Sequence, residues 1–136
     1  LQVVSESPRV VLDGAHNPDA AAVLANALPR LFKYQQLILV CGMLAPHEPL
    51  ETLRHLLPLT DIAIFAAIEN PRAHPPKALL DAAQRWQSAK PHRTPRLTLT
   101  TESPEQAFEQ ALAIAGVDDL ILVTGSFYLV GQWRVS

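Results

Sequence analysis

Val10-Val11-Leu12-Asp13-Gly14-Ala15-His16-Asn17-Pro18 is the stretch on which the reading of this fold turns. Val10, Val11 and Leu12 form a short β-branched and apolar run, the pattern of a buried strand. Asp13 then stands at the carboxyl end of that strand, and Gly14 allows a sharp turn. Asn17 followed by Pro18 signals a helix start, because Asn caps free N–H groups and proline is tolerated at the first helical position. A strand therefore hands over to a helix across one carboxylate and one imidazole. In open α/β sheets, ligands bind at this edge, outside the carboxyl ends of the strands.

Working outward, Leu1–Val4 and Arg9–Leu12 read as a hairpin about the turn Ser5-Glu6-Ser7-Pro8. A helix is expected over Asn17–Lys33, with Ala20, Leu24, Ala27, Leu28 and Leu31 on one face at spacings of three and four. A strand follows at Leu37–Cys41, ending at Gly42, then a helix over His47–Leu57 and a strand at Asp61–Ala66. Pro71–Pro76 is a proline-rich loop. Lys77–Trp86 is a helix with Leu79, Leu80, Ala83 and Trp86 as its apolar face. After a loop at Lys90–Pro95 comes a short strand, Leu97–Leu99. Ser103 caps a helix running through Ala115, with Pro104 and Glu105 in its first turn. Leu120–Thr124 is the last parallel strand, and Ser126 opens a closing helix. Strands alternating with helices imply βαβ crossovers and a parallel sheet. The expectation is a Rossmann-like α/β fold: a mostly parallel six-stranded sheet, first strand antiparallel, helices on both faces, one domain over residues 1–136.

Composition narrows the function. With 49% hydrophobic residues in 136, the chain can bury a real core. Its net charge of −2 offers no basic field for nucleic acid. No apolar run approaches bilayer length, and no secretory pattern opens the chain. The single cysteine, Cys41, has no internal partner and lies in an apolar run, where a buried, inert thiol is expected. That usage fits a reducing cytoplasm. The start at Leu1, with no Met, leads us to expect a fragment of a longer protein.

Three strands end in glycine or Asp-Gly: Asp13-Gly14, Gly42 and Gly125. In a parallel sheet those ends share one edge. Glycines there also serve plain tight turns, but with Asp13, His16 and Ser126 among them a site is the stronger reading. Asp13 could accept ribose hydroxyls or cap its own turn. His16 can donate to a phosphate or carboxylate, or lie at the helix cap. Asn17 serves as a cap, as a ligand, or both. Ser126, behind Gly125 at a helix start, suits an anion or is an N-cap. Phe127, Tyr128, Leu129 and Trp133 read as core and interface rather than ligand contacts. His47, His55, His74 and His92 are scattered, without C-x-x-C or H-E-x-x-H spacing, so no metal site is expected.

Four segments together resemble folylpolyglutamate synthase and dihydrofolate synthase, within the Mur ligase superfamily: Asp13–Pro18, Leu39-Val-Cys-Gly-Met-Leu44, Asn70-Pro-Arg72 and Val123-Thr-Gly-Ser-Phe-Tyr-Leu-Val-Gly131. They run in the family's order over nearly the whole chain. Peptidoglycan ligases carry a similar Asp-x-Ala-His motif; the Gly-Ser-Phe-Tyr-Leu-Val-Gly ending favours the folate branch. The resemblance covers only the family's C-terminal domain. The partner it implies is the chain's own N-terminal P-loop domain, since no G-x-x-x-x-G-K-[ST] occurs here.

What the resemblance implies is an ATP-dependent ligase, with magnesium, that adds L-glutamate to folate and in some members to dihydropteroate. Asp13, His16 and Asn17 would contact the nucleotide, with Asp13 and His16 counted as catalytic. Ser126, His47 and Arg72 would contact substrate, Arg72 from the interdomain cleft. A monomer is expected. Other readings are a non-catalytic nucleotide- or anion-binding module, or the equivalent domain of another Mur-type ligase. One departure stands out. Where the family has Asp-Lys-Asp, this chain has Pro46, His47 and Glu48. His47 either takes over the lysine's anion contact or is turned to solvent by Pro46 and Pro49.

Overall fold

The computed structural model describes residues 1–89 and 94–133. It contains six strands: β1 (Gln2–Glu6), β2 (Arg9–Leu12), β3 (Leu37–Cys41), β4 (Ile62–Ala66), β5 (Leu97–Thr101) and β6 (Leu120–Thr124). Five α-helices connect or follow them: α1 (Pro18–Leu31), α2 (Pro49–Leu56), α3 (Pro76–Ala89), α4 (Pro104–Ile114) and α5 (Phe127–Val130). All strands form one sheet in the order β1-β2-β6-β3-β4-β5. Only β1 is antiparallel, against β2; every other pairing is parallel. The α/β fold expected from the alternation is the fold observed.

The alternation of side chains along the strands divides the core into two layers. Val11, Leu39, Cys41, Ala63, Phe65 and Leu122 face one way and meet α1, α2 and α3 through Leu24, Leu28, Leu53, Leu56, Leu79 and Ala83. Val10, Ile38, Val40, Ile64, Ile121 and Val123 face the other way and meet Ala107, Phe108 and Ala111 of α4 and Leu129 of α5. β3, β4 and β6 are buried along their whole length, as strands covered on both faces must be.

Several boundaries and one helix face differ from expectation. β1 extends to Glu6 through a register shift between Val3 and Ser5, so the turn shrinks to Ser7-Pro8. α2 starts at Pro49 instead of His47, because proline fits the first helical turn and the residues before it pair elsewhere. β5 runs two residues past Leu99, to Thr101. On α1 the buried residues are Ala21, Leu24 and Leu28, while Leu31 is 59% exposed. The buried stripe thus runs through Ala21 rather than through Leu31 of the last turn. The expected loop at Lys90–Pro95 lies, for residues 90–93, outside the described residues, as does His92. Among the described residues no helix is long and apolar enough to cross a membrane.

A candidate anion site at the carboxyl edge

The sheet order places β6, the last strand, between β2 and β3. Loops far apart in sequence thereby meet at one edge. α1 and α2, which follow β2 and β3, cover one face, whereas α5, which follows β6, sends Leu129 into the opposite core. The chain thus leaves neighbouring strand ends in opposite directions, and a crevice opens between the loops, as at the switch point of a doubly wound sheet.

Hydrogen bonds fix the loops around it. Asp13 N donates to Val123 O at 3.0 Å, and Gly125 N donates to Ala15 O at 2.9 Å. Thr124 Oγ1 donates to the same Ala15 carbonyl at 3.3 Å. On the far side, residues 43–45 run antiparallel to residues 72–74: Ala45 N donates to Arg72 O at 2.7 Å and His74 N to Met43 O at 2.9 Å, about a Leu44–Ala73 bridge. Asn70 Oδ1 accepts from Arg72 N at 2.9 Å, an Asx turn that delivers Arg72 to this pairing. Gly125 adopts a φ of +105°, which favours glycine, while a Cβ on Gly14 would meet the exposed Phe127 ring, 2.6 Å from its Cδ1, and displace it.

The crevice has a volume of about 300 Å³ and is lined by His16, Leu44, Ala45, Pro46, His47, Arg72, Gly125, Ser126, Phe127 and Tyr128. His16 and His47 meet edge to face, ring centroids 5.8 Å apart, and the Phe127 ring lies 5.7 Å from His16. His47 is half-buried and faces the same crevice as His16 and Ser126; Pro46 and Pro49 do not turn it to solvent. Among the described residues no acidic side chain lines the crevice. Its polar groups are two imidazoles, a guanidinium, a hydroxyl and a phenol, a set suited to an anion with an apolar or aromatic neighbour.

Two of the six expected site residues stand apart from the crevice lining. Asp13 lies at the next strand end, where Oδ1 accepts from Ala15 N at 2.9 Å. Asn17 caps α1, its Oδ1 accepting from Ala20 N at 2.9 Å. Ser126, although in the crevice wall, also caps: its Oγ accepts from Tyr128 N at 3.0 Å. The helix it caps is only four residues long.

Two groups escaped the sequence reading. Phe127 and Tyr128, expected in the core or an interface, are 68% and 51% exposed and form the crevice wall. Their place immediately after Ser126 was the available signal. His74, set aside as scattered, lies with Nε2 2.7 Å from His47 O and so holds the residue that faces His16. Leu129, by contrast, is fully buried, and Trp133 packs beside Phe108 with ring centroids 5.0 Å apart. A broader depression of about 860 Å³ runs along α2 and α3 from Glu48, Pro49 and His74 and is lined largely by exposed helix side chains such as Asp81, Gln84 and Arg85. Cys41 lies under Gly125 and is fully enclosed; burial pushes its thiol up to about 12, so it is no nucleophile. Among the described residues no group of three or more His, Cys, Asp or Glu side chains is placed to hold a metal ion.

Fold and crevice together define an α/β domain with a candidate ligand crevice at its topological switch point. More particularly, the chain belongs to the Mur ligase glutamate ligase domain family, whose model matches residues 1–127. It is 36% identical over 132 residues to the dihydrofolate synthase/folylpolyglutamate synthase of Escherichia coli, covering 97% of this chain and 28% of that protein. It is 32% identical to a probable bifunctional folylpolyglutamate synthase/dihydropteroate synthase of Haloferax volcanii, over 100% of this chain and 15% of that one. Among solved structures, E. coli FolC in complex with ADP superposes with a TM-score of 0.83 at 34% identity, over 96% of this chain and 29% of that chain. Mycobacterium tuberculosis folylpolyglutamate synthase complexed with ADP superposes at 0.80 and 28% identity, over 96% and 30%. The chain therefore spans less than a third of the length of these relatives.

Proposed function

We propose that this chain is the C-terminal domain of an ATP-dependent ligase that adds L-glutamate to folate, and to dihydropteroate if the whole protein is bifunctional. The observation that carries the reading is the crevice: His16, His47, Arg72 and Ser126 come from four separate segments and converge at the carboxyl edge. The relatives add support. One E. coli FolC structure holds DHPP and ADP, and a related bifunctional synthase holds Mn, AMPPNP and L-glutamate.

In this reading a carboxylate oxygen of the folate attacks the γ-phosphorus of ATP and ADP leaves. The glutamate nitrogen then attacks the acyl carbon and phosphate leaves. This chain's part is to bind and orient. Asp13 and His16 reach the nucleotide from the sheet edge, with Asn17 holding the start of α1 beside them. Ser126, His47 and Arg72 take the carboxylates of glutamate. Magnesium and the triphosphate are the work of a preceding P-loop domain, and closure of the two excludes water. The protein acts as a cytoplasmic monomer, a setting in keeping with one buried, unpaired thiol.

The test is glutamate-dependent ADP release by the whole protein with folate, dihydropteroate and no acceptor. Asp13→Ala or His16→Ala should lower kcat/KM about tenfold or more, roughly 1.4 kcal/mol, without loss of fold. Nucleotide binding with no release under any acceptor would favour a non-catalytic binding module instead. The 136-residue chain alone should fold and show no turnover.

A further inference from the structure

We infer that His74 is a positioning residue of the crevice, which clamps the loop bearing His47 and so sets the affinity of the site for a carboxylate; this rests on reading the crevice as the glutamate site. His74 is tied to that loop twice. Its backbone N donates to Met43 O at 2.9 Å, where the loop begins. Its ring Nε2 lies 2.7 Å from the carbonyl oxygen of His47, further along. A carbonyl only accepts, so Nε2 carries the hydrogen and donates it. One residue therefore bridges both ends of the segment 43–47.

The loop has little of its own to hold it. Pro46 and Pro49 lack an N–H, so two of the four positions from 46 to 49 have no backbone hydrogen to donate. Glu48, the N-cap of α2, makes no side-chain cap bond. Ala45 N is bonded to Arg72 O at 2.7 Å, and beyond that point the His74 ring supplies the tie to His47. The clamp itself stands on a rigid base. Pro75 follows His74 and restricts its backbone to extended conformations, and Pro76 opens α3. On the other side Ala73 forms the bridge to Leu44. A half-buried ring on such a backbone has few positions to choose from. The clamp fixes the crevice wall: the His47 ring meets His16 edge to face, 5.8 Å between centroids, and shares the lining with Arg72 and Ser126. Freed from His74, His47 must be ordered when the ligand arrives, and that cost falls on binding.

Steady-state kinetics of the whole protein test this, with KM for L-glutamate read against kcat and KM for ATP. His74→Met removes the donor and should raise KM for L-glutamate about three- to tenfold, the size of one net hydrogen bond, with kcat and KM for ATP unchanged. His74→Gln, whose amide nitrogen stands in for Nε2, should restore most of the affinity. Added to His47→Ala, His74→Met should raise KM no further, because the clamp acts through the His47 ring. An unchanged KM for L-glutamate in His74→Met, an equal rise in KM for ATP, no rescue by His74→Gln, or additive effects with His47→Ala would each overturn the inference. Should His74→Met fail to fold, histidine ring nitrogen NMR of the wild type decides. At about pH 8, where an ordinary imidazole is neutral, His74 must hold its hydrogen on Nε2; a ring protonated on Nδ1 alone overturns the clamp. Absence of wild-type turnover would overturn the ligase reading and this inference with it, whereas turnover indifferent to His74 would overturn this inference alone.

Discussion

Gly125→Ala isolates the turn on which both the sheet and the crevice depend. Gly125 joins the end of β6 to the Ser126 cap with a φ of +105°. A side chain there incurs two costs at once. The left-handed backbone is strained by about 1–3 kcal/mol for a residue with a Cβ. The added methyl also overlaps the carbonyl oxygen of Gly42 and lies 2.8 Å from Cys41 Sγ. Overpacking of a tight interior typically costs a further 1–3 kcal/mol or so. Backbone stands on one side of the overlap, so a rotamer change cannot relieve it. The sum, roughly 2–6 kcal/mol, is a large part of the 5–15 kcal/mol or so that holds a domain together. Urea unfolding of the chain followed by circular dichroism reads it as a fall in midpoint. Adding Cys41→Ala removes the sulfur contact but neither the strain nor the Gly42 overlap, so the double variant should recover only part of the loss. A cost below about 1 kcal/mol for Gly125→Ala would refute the reasoning, because neither strain nor overlap could then be present at the size their mechanisms require.

The remaining predictions use the same unfolding measurement. Leu28→Ala should cost about 2–5 kcal/mol and Leu31→Ala less than about 0.5, since Leu28 is fully buried and Leu31 is 59% exposed; equal losses would restore the face read from sequence. Asp119 is 6% exposed and accepts from Gln36 N at 3.2 Å and from Gly116 N at 2.8 Å, so Asp119→Ala orphans both donors and should cost at least about 2 kcal/mol. Burial raises the Cys41 thiol from 9.0 to about 12, so stability should be full below pH 9.0 and fall as the unfolded chain deprotonates above it. Cys41→Ala should remove that part of the alkaline fall. Tyr34, raised by burial and by Asp61, adds a component of the same sign in both proteins.

Much of this was legible because the signals are local. Val10–Leu12, Leu37–Cys41 and Leu120–Thr124 are apolar on both sides and end in turn glycines, and Ser103 and Asn17 cap as their positions require. What was not legible is non-local. The α1 face was misread by part of a turn because Ala20, Ala21, Ala27 and Leu31 are all apolar, and periodicity cannot choose between overlapping stripes; the sheet edge chooses. The start of α2 was misplaced because residues 43–45 pair with 72–74, across some 30 positions, and no pattern within either segment announces the other. The same pairing carries Arg72 and His74 to the crevice. Phe127 and Tyr128 read as core and interface; the core half fails, because a four-residue helix has one buried position to offer and Leu129 takes it.

The crevice also follows from an ordering that no single motif encodes. Asp13–Pro18 marks a strand end, and so does Gly125-Ser126, yet neither says that the two are neighbours. They become neighbours because β6 inserts between β2 and β3 and then sends α5 to the face opposite α1 and α2. Had β6 joined the sheet beyond β5, Ser126 would lie across the molecule from His16 and the same residues would line no common space. The two hydrogen bonds into the Ala15 carbonyl, from Gly125 N and Thr124 Oγ1, hold that juxtaposition, and one of them starts from the strained glycine. Stability and binding therefore meet in the same few atoms. A substitution that loosens the Gly125 turn should change the spacing between Ser126 and His16 before it unfolds the sheet, because β6 is secured along its length by parallel pairing to both β2 and β3.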